Sequence, residues 1–217
     1  MMSIQKKIAW RTALINKALI CGRATNWPGV LKEIISTHSS SKNHPAYSIV
    51  KIEGNFALYQ VGAQKVWFPL AFDPSFLGDM YHEIFEQRVY ENGLCRIHPG
   101  DWVVDAGSCE GFFSLYALDK GAKVLAFEPV PEIAQALERT LKSYIDAGRA
   151  KVFPLGLGSE RGEKGIFLHS TNSGSATLNQ TFRESRAGED YTYQPIDVFI
   201  DTLDRIVSDL NLSLIHI

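Results

Sequence analysis

The spacing of hydrophobic and polar residues divides the chain into two parts of different character. Residues 3–36 show helical periodicity in two pieces. Residues 47–52, 56–61 and 65–70 alternate as strands do, and Glu53-Gly54-Asn55 between the first two predicts a hairpin turn. Residues 1–74 are therefore expected to form an appendage of helices and a β-hairpin.

A helix is predicted from about Ser75 to Asn92, where residues 75–217 begin as a second unit. Gly93 has the character of a C-cap residue. The apolar positions of this segment approximate one helical face; they are Phe76, Met80, Ile84, Phe85, Val89 and Leu94.

From Trp102 onward the pattern alternates between strands and helices. Strands are predicted at 102–106, 123–127, 150–155, 165–169 and 196–200, and helices at 111–118, from Pro131 to about 145, and at 202–210. The first strand is almost continuously apolar, which is typical of a strand covered on both faces. These βαβ units predict an α/β fold, a Rossmann-like doubly wound and mostly parallel sheet.

Composition narrows the range of partners. The 217 residues are 45% hydrophobic and 21% charged, and the net charge of −2 creates no general attraction to nucleic acid or anionic membranes. No apolar run is long enough to span a bilayer. The three cysteines show no paired spacing, which indicates a reducing, cytoplasmic environment. The basic N-terminal segment is interpreted as an amphipathic helix rather than a signal peptide.

The turn after the first core strand carries the candidate chemistry. It reads Asp105-x-Gly107-x-x-x-Gly111, and Cys109 stands where a dinucleotide fingerprint would have its second glycine. An acid at this strand end suits a ligand with a positive group, and Glu128 at the end of the next strand can accept hydrogen bonds from ribose hydroxyls. Together they predict S-adenosyl-L-methionine as cofactor; the alternative is a plain tight turn with two capping acids.

Several segments in combination resemble the FkbM family of S-adenosylmethionine-dependent methyltransferases, over roughly residues 75–211. They are Glu83-Ile84-Phe85 with Tyr90-Glu91, Trp102 to Gly107 after Pro99-Gly100, Phe127-Glu128-Pro129-Val130-Pro131, Pro154 to Ser159 with Gly162, and Asp197 with Thr202-Leu203-Asp204. The resemblance implies a class I methyltransferase domain. Cys109, where the family usually has asparagine, and Thr140 depart from its pattern.

The resemblance also implies a distribution of roles around the cofactor. Asp105 and Gly107, with Ser108 in the same turn, would line the methionine end, Gly111 would allow close helix packing, and Glu128 would hold the ribose. Pro129 and Val130 would flank the adenine, with Gly156 and Leu157 on its other side. No metal is expected.

The implied reaction is O-methylation of a hydroxyl on a sugar or natural product, with a small molecule or glycan as acceptor. No catalytic residue is assigned. His82 with Glu86 is interpreted as a surface pair, His169 as a loop histidine, and Cys109 as a turn residue rather than a nucleophile.

Two other functions remain open from the sequence: a Rossmann-type NAD-dependent oxidoreductase, and a non-catalytic binding module on a methyltransferase-like scaffold. The family resemblance further implies strands beyond residue 211 that this sequence does not have. We therefore expect a C-terminally truncated fragment, poorly soluble and inactive alone. Its last six residues, Leu212 to Ile217, read like a translated sequencing adapter, and a natural short strand is the alternative.

Overall fold

A computed structural model describes residues 45–91, 96–169 and 193–210. Some predictions lie outside the described residues. They concern the two N-terminal helices, the cap at Gly93, the apolar position Leu94 and the terminal residues Leu212 to Ile217.

The first described sheet is an antiparallel meander in the order β1-β2-β3. Its strands are β1 (Tyr47–Glu53), β2 (Phe56–Val61) and β3 (Gln64–Pro69). The predicted hairpin is confirmed: Gly54 turns the chain with a φ of +59°, a conformation that glycine adopts without steric cost. The register of β1 against β2 shifts between Ile49 and Lys51, which leaves Val50 exposed.

The helical segment after this sheet is shorter than predicted. It consists of a 3₁₀ turn (Pro74–Phe76), helix α1 (Leu77–Tyr81) and a π-helical turn (His82–Glu86). The prediction that it continues to Asn92 is wrong. Arg88 has a φ of +54°, in the left-handed region where a right-handed helix cannot continue, and Val89 is 49% exposed rather than buried.

The parallel sheet has the order β4-β5-β6, with β4 (Trp102–Ala106), β5 (Lys123–Phe127) and β6 (Ala150–Phe153). Helix α2 (Phe112–Asp119) connects the first two strands and helix α3 (Pro131–Asp146) the next two. The first two strands have the predicted bounds, and Pro131 begins α3 as predicted. β6 ends two residues earlier than predicted, before Pro154, which has no N–H for a strand ladder.

A third, mixed sheet follows in the order β7-β9-β8. It contains β7 (Gly156–Leu157), β8 (Gly162–His169) and β9 (Tyr193–Asp201), with β7 parallel and β8 antiparallel to β9. Helix α4 (Leu203–Asp209) begins at Thr202, whose hydroxyl accepts from Arg205 N. The Arg205 guanidinium forms an ion pair with the fully buried Asp201, which fixes α4 against the end of β9.

Helices cover both faces of the parallel sheet. On one face Val124 and Ala126 belong to the main core with residues of α2 and α3, whereas Leu125 and Phe127 on the other face pack with Ile206 of α4. This alternation along one strand explains why β5 is apolar from Val124 to Phe127. The α/β, doubly wound, Rossmann-like architecture is confirmed.

The antiparallel sheet packs on α3 and shares the main core with the parallel sheet. Val66 and Phe68 of β3 belong to the same cluster as Leu137. At this contact Trp67 N donates a hydrogen bond of 2.9 Å to Thr140 Oγ1, and that hydroxyl donates to Ala136 O at 3.0 Å. Thr140 therefore connects the N-terminal sheet to the helix that follows β5.

We expect Thr140→Val to destabilise the chain by about 1–2 kcal/mol, because the partly buried Trp67 amide loses its acceptor. Thr140→Ser keeps the hydroxyl and is the matched control, expected to retain most of the stability. Urea unfolding of the three proteins measures the difference. Equal stability of the valine and serine variants would show that this hydrogen bond contributes nothing.

Candidate functional site

Ser108 ties the turn after β4 to the end of β5. Gly107 N and Ser108 N donate to Phe127 O at 2.8 Å and 3.0 Å. The Ser108 hydroxyl donates to Asp105 O at 2.8 Å and accepts from Phe127 N at 3.0 Å. The turn is thereby fixed at the carboxyl edge of the parallel sheet, where open α/β sheets bind ligands.

The two glycines of the turn meet different requirements. Gly107 has a φ of +79° and an open side, since a Cβ there would meet nothing within 4 Å. Gly111 has a φ of +91°, and a Cβ there would lie 2.6 Å from Leu137 Cδ1 of α3. Gly107 is thus required for backbone conformation and leaves room for a ligand, whereas Gly111 permits close packing of α2 on α3.

Two predicted acidic residues are buried beside this turn. Asp105 Oδ2 accepts from Ser114 Oγ at 2.6 Å. Glu128 Oε2 accepts from Cys109 N at 3.0 Å, and Glu128 Oε1 accepts from Val130 N at 2.9 Å. A carboxylate has about four lone-pair sites, so these bonds leave acceptor capacity on both side chains.

Glu110 is a third buried carboxyl group in the same turn, and sequence reasoning missed it. Burial raises the pKa of Glu110 to about 7, and repulsion from Asp105 and Glu128 acts in the same direction. Burial likewise raises the pKa of Glu128 to about 7, with Asp105 contributing, and burial raises the pKa of Asp105. In the described parts of the chain no Lys or Arg forms an ion pair with any of these three groups.

A cleft of about 550 Å³ opens between this turn and the helical segment 74–86. Asp105, Gly107, Ser108 and Glu110 contribute to its lining from the turn. Its lining also includes apolar and aromatic side chains, namely Phe76, Met80, Ile84, Tyr90 and Phe113. The cleft therefore combines acidic groups with apolar surface, as expected of a site for a cation that carries an organic frame.

The residues predicted to hold the ribose and the adenine lie along the same sheet edge, outside this cleft. Glu128 joins the two regions through its bonds to Cys109 N and Val130 N. Beyond it, a Cβ on Gly156 would lie 3.6 Å from Pro129 Cβ, so the segments after β5 and β6 meet. Val130 is buried, and Pro129 and Leu157 are partly exposed. Apart from Gly111, the predicted residues thus follow one edge of the parallel sheet in two adjoining groups. The first group, Asp105, Gly107 and Ser108, lines the cleft, and the second comprises Glu128 to Val130 with Gly156 and Leu157.

Two smaller predictions concern the side chains of histidines. The surface pair is confirmed, with His82 Nδ1 and Glu86 Oε2 2.5 Å apart. Phe112 and Tyr116 are core residues, whereas Phe113 is partly exposed and lines the cleft. The prediction that His169 lies in a loop is wrong, because His169 is the last residue of β8 and pairs with Tyr193; its side chain lies outside the described residues. Across residues 45–91, 96–169 and 193–210, no cluster of His, Cys, Asp or Glu is arranged to bind a metal ion.

The sequence contained a signal for one of the missed residues. Glu110 is an acid between two glycines of a ligand-type turn, where the backbone holds its side chain close to Asp105 and Glu128. Tyr90 belongs to one of the segments that resemble the FkbM family, but its place in the cleft depends on the end of the preceding helix, which the periodicity misplaced. None of the helices in the described ranges is long and apolar enough to cross a membrane.

Glu110→Gln should change how stability depends on pH. Because the folded-state pKa of Glu110 lies above its unfolded value near 4.5, the folded chain holds an extra proton between these values, and its stability falls as pH rises from about 5 through 7. Glutamine cannot ionise, so the variant should match the wild type at pH 5. At pH 8 it should be more stable, on the order of 1–3 kcal/mol.

Thermal and urea unfolding at pH 5 and pH 8 measure this effect. Glu138→Gln, on the exposed face of α3, is the matched control and should leave both values unchanged. A Glu110→Gln protein less stable than the wild type at pH 8 would contradict the buried, uncompensated charge.

Cys109→Asn should stabilise the chain. Cys109 has a φ of +46°, where asparagine is better tolerated than other side chains. We expect a gain of about 0.5–1 kcal/mol for asparagine and a loss of more than about 1 kcal/mol for Cys109→Val, whose branched Cβ suits this conformation least. Denaturant midpoints of the three proteins test the order, and a valine variant as stable as asparagine would refute it.

Comparison with known proteins gives no matching family model. The chain is similar to three curated proteins over parts of their length. It is 34% identical over 101 residues to "Methyltransferase sdnD" of Sordaria araneosa, covering 46% of this chain and 38% of that protein. It is 26% identical over 147 residues to "31-O-demethyl-FK506 methyltransferase FkbM" of Streptomyces tacrolimicus, covering 64% and 56% respectively.

The third relative is "AMB antimetabolite synthetase AmbE" of Pseudomonas aeruginosa, 33% identical over 143 residues, which are 60% of this chain and 6% of that protein. A solved structure, "Crystal structure of M.jannaschii tRNA m1G37 methyltransferase", matches 76% of this chain and 58% of that chain with a TM-score of 0.34 and 14% identity. The chain spans about half or less of the length of its curated relatives. The similarities to sdnD and to FkbM relate parts of this chain to curated methyltransferases.

Proposed function

We propose that this chain is the cofactor-binding part of an S-adenosylmethionine-dependent methyltransferase of the FkbM type. The observation that carries the proposal is the group of three buried carboxyl groups at the open turn around Gly107. Asp105, Glu110 and Glu128 repel one another and have no ion-pair partner among the described residues. Such a group favours a ligand that brings positive charge.

The electrostatics distinguish two classes of nucleoside cofactor. S-adenosylmethionine has a sulfonium and an α-ammonium group, and both would reduce the repulsion among these carboxylates. A dinucleotide places its pyrophosphate at the N-terminus of the helix after the first strand. Here Glu110 and Asp105 are buried at that end of α2, and an anion brought there would meet two like charges at low dielectric. The NAD-dependent alternative is therefore disfavoured.

The residues fit the parts of the cofactor as follows. Asp105 and Gly107 line the cleft and would accept the methionine end, with Ser108 holding their backbone in place. Glu128, at the junction of the two groups, has free acceptor capacity for the ribose hydroxyls. Pro129, Val130, Gly156 and Leu157 would surround the adenine at the ends of β5 and β7.

When bound, this cofactor supplies an electrophilic methyl group for transfer to a nucleophile. The chain's own residues orient the ligand and exclude water from one side of it. Two relatives named as methyltransferases, one of them for an O-demethyl substrate, support a hydroxyl of a sugar or natural product as the acceptor. No residue among those described is assigned as the base that takes the hydroxyl proton.

Binding of S-adenosylmethionine and of NAD to the 217-residue chain, measured by calorimetry, tests the proposal. We expect S-adenosylmethionine to bind and NAD to bind at least about tenfold more weakly, because its pyrophosphate meets the buried carboxylates. Asp105→Asn should weaken S-adenosylmethionine binding about 10- to 100-fold, since it removes one charge from the site.

Glu138→Gln is the matched control and should bind as the wild type does. Tighter binding of NAD than of S-adenosylmethionine would instead establish the oxidoreductase alternative. S-adenosylmethionine binding that is unchanged in Asp105→Asn would favour a binding module that recognises its ligand by other groups.

A further inference from the structure

Tyr90 is an aromatic residue that the proposed function does not yet use. It lines the same cleft as Asp105 and Glu110, yet 51% of its surface is exposed. An exposed tyrosine is ordinarily free to adopt several rotamers. Tyr90 is instead fixed by contacts on both sides, which indicates a defined task for its ring.

The contacts of Tyr90 hold both its hydroxyl and its ring. The hydroxyl donates to Glu83 Oε1 at 3.2 Å, on the π-helical turn. The ring packs on Phe113 of α2, with centroids 5.1 Å apart and planes inclined by 56°. Because the hydroxyl proton is committed to Glu83, the part of Tyr90 that remains for a ligand in the cleft is the aromatic ring.

The next residue anchors the backbone. Glu91 accepts from Tyr116 Oη and from Lys120 Nζ, both at 2.6 Å, and its other oxygen accepts from Ile97 N at 3.0 Å. These bonds fix the chain to α2 immediately after Tyr90. Tyr90 is therefore held between the π-helical turn on one side and α2 on the other.

Arg88, two residues before Tyr90, has a strained backbone conformation that helps to place Tyr90 beside α2. Arg88 has a φ of +54°, which costs an L-residue steric energy, and Val89 N donates to Glu83 O at 3.3 Å. The helix stops there and the chain turns towards α2. Strain at a non-glycine residue is maintained where the surrounding contacts require it, and it is concentrated at functional sites.

An aromatic ring beside carboxylates is a combination that recognises an organic cation. The face of a ring attracts a positive group within about 6 Å, and the attraction increases where water is excluded. We propose that Tyr90 is a specificity-determining residue of the cofactor cleft, and that its ring contacts the positively charged methylsulfonium end of the ligand in preference to the neutral thioether. This inference depends on the proposed function, because it concerns the same ligand.

Tyr90 would then act differently from Asp105. A carboxylate attracts any positive group of the ligand, including the α-ammonium that S-adenosylmethionine and S-adenosylhomocysteine share. The ring would act at the sulfur, which is the atom where the charges of the two ligands differ. Removing the ring should therefore weaken binding of S-adenosylmethionine selectively.

Calorimetry with both ligands on four proteins tests this: wild type, Tyr90→Leu, Tyr90→Phe and Val89→Ala. Tyr90→Leu should lose about 3- to 10-fold in affinity for S-adenosylmethionine and less than about twofold for S-adenosylhomocysteine. Tyr90→Phe keeps the ring and should preserve the preference between the two ligands. Val89→Ala, a neighbour with 49% exposure that does not line the cleft, is the matched control.

The outcomes separate this inference from the proposed function. If the wild type binds neither ligand, the proposed function fails and the role of Tyr90 fails with it. If the wild type binds both ligands but Tyr90→Leu loses affinity equally for the two, or loses no affinity, the inference alone is overturned. Thermal unfolding of each variant, expected to match the wild type because Tyr90 is exposed, identifies any loss that arises from misfolding.

Discussion

The burial of negative charge around one turn is the constraint that shapes this structure. Asp105, Glu110 and Glu128 lie at the carboxyl ends of β4 and β5 and are each less than 8% exposed. Hydrogen bonds from Ser114, Cys109 and Val130 offset part of the desolvation penalty. The part of this penalty that is not offset raises the pKa values of the carboxyl groups. Without a positive partner they therefore hold protons that solvated carboxyl groups would release.

The packing of the rest of the chain keeps this turn in position. Gly111 lets α2 approach α3 closely, and the same region of α3 carries Thr140, whose Cγ2 would lie 3.7 Å from a Cβ on Gly111. Thr140 also accepts from Trp67 N of the antiparallel sheet. One threonine therefore contacts both the N-terminal sheet and the region of the glycine turn. The sheet that the sequence assigns to an appendage is in this way part of the support for the candidate site.

The sequence predicted most where a short-range pattern is sufficient. β5 has the expected bounds because a buried parallel strand is a run of apolar residues, and Pro131 begins α3 because its ring suits a first helical turn. The helix to Asn92 was wrong because tertiary contacts override periodicity: Glu91 bonds to α2, and a straight helix would carry it elsewhere. Glu110 was missed because only the folded turn brings three acids together. The cofactor roles of the nine predicted site residues stay predictions.

Under the proposed function, the three buried carboxyl groups have a consequence for how strongly the ligand binds before and after methyl transfer. A cationic ligand stabilises the ionised carboxylates, so its binding competes with protons at Glu110 and Glu128 near neutral pH. A ligand of nearly the same shape that has lost its central charge leaves those carboxylates less compensated, and they again favour protons. The groups that attract the ligand therefore retain it less strongly once that charge is lost. A site that relied on apolar contacts alone would bind the charged and the uncharged ligand equally, so it would not release the uncharged ligand more readily.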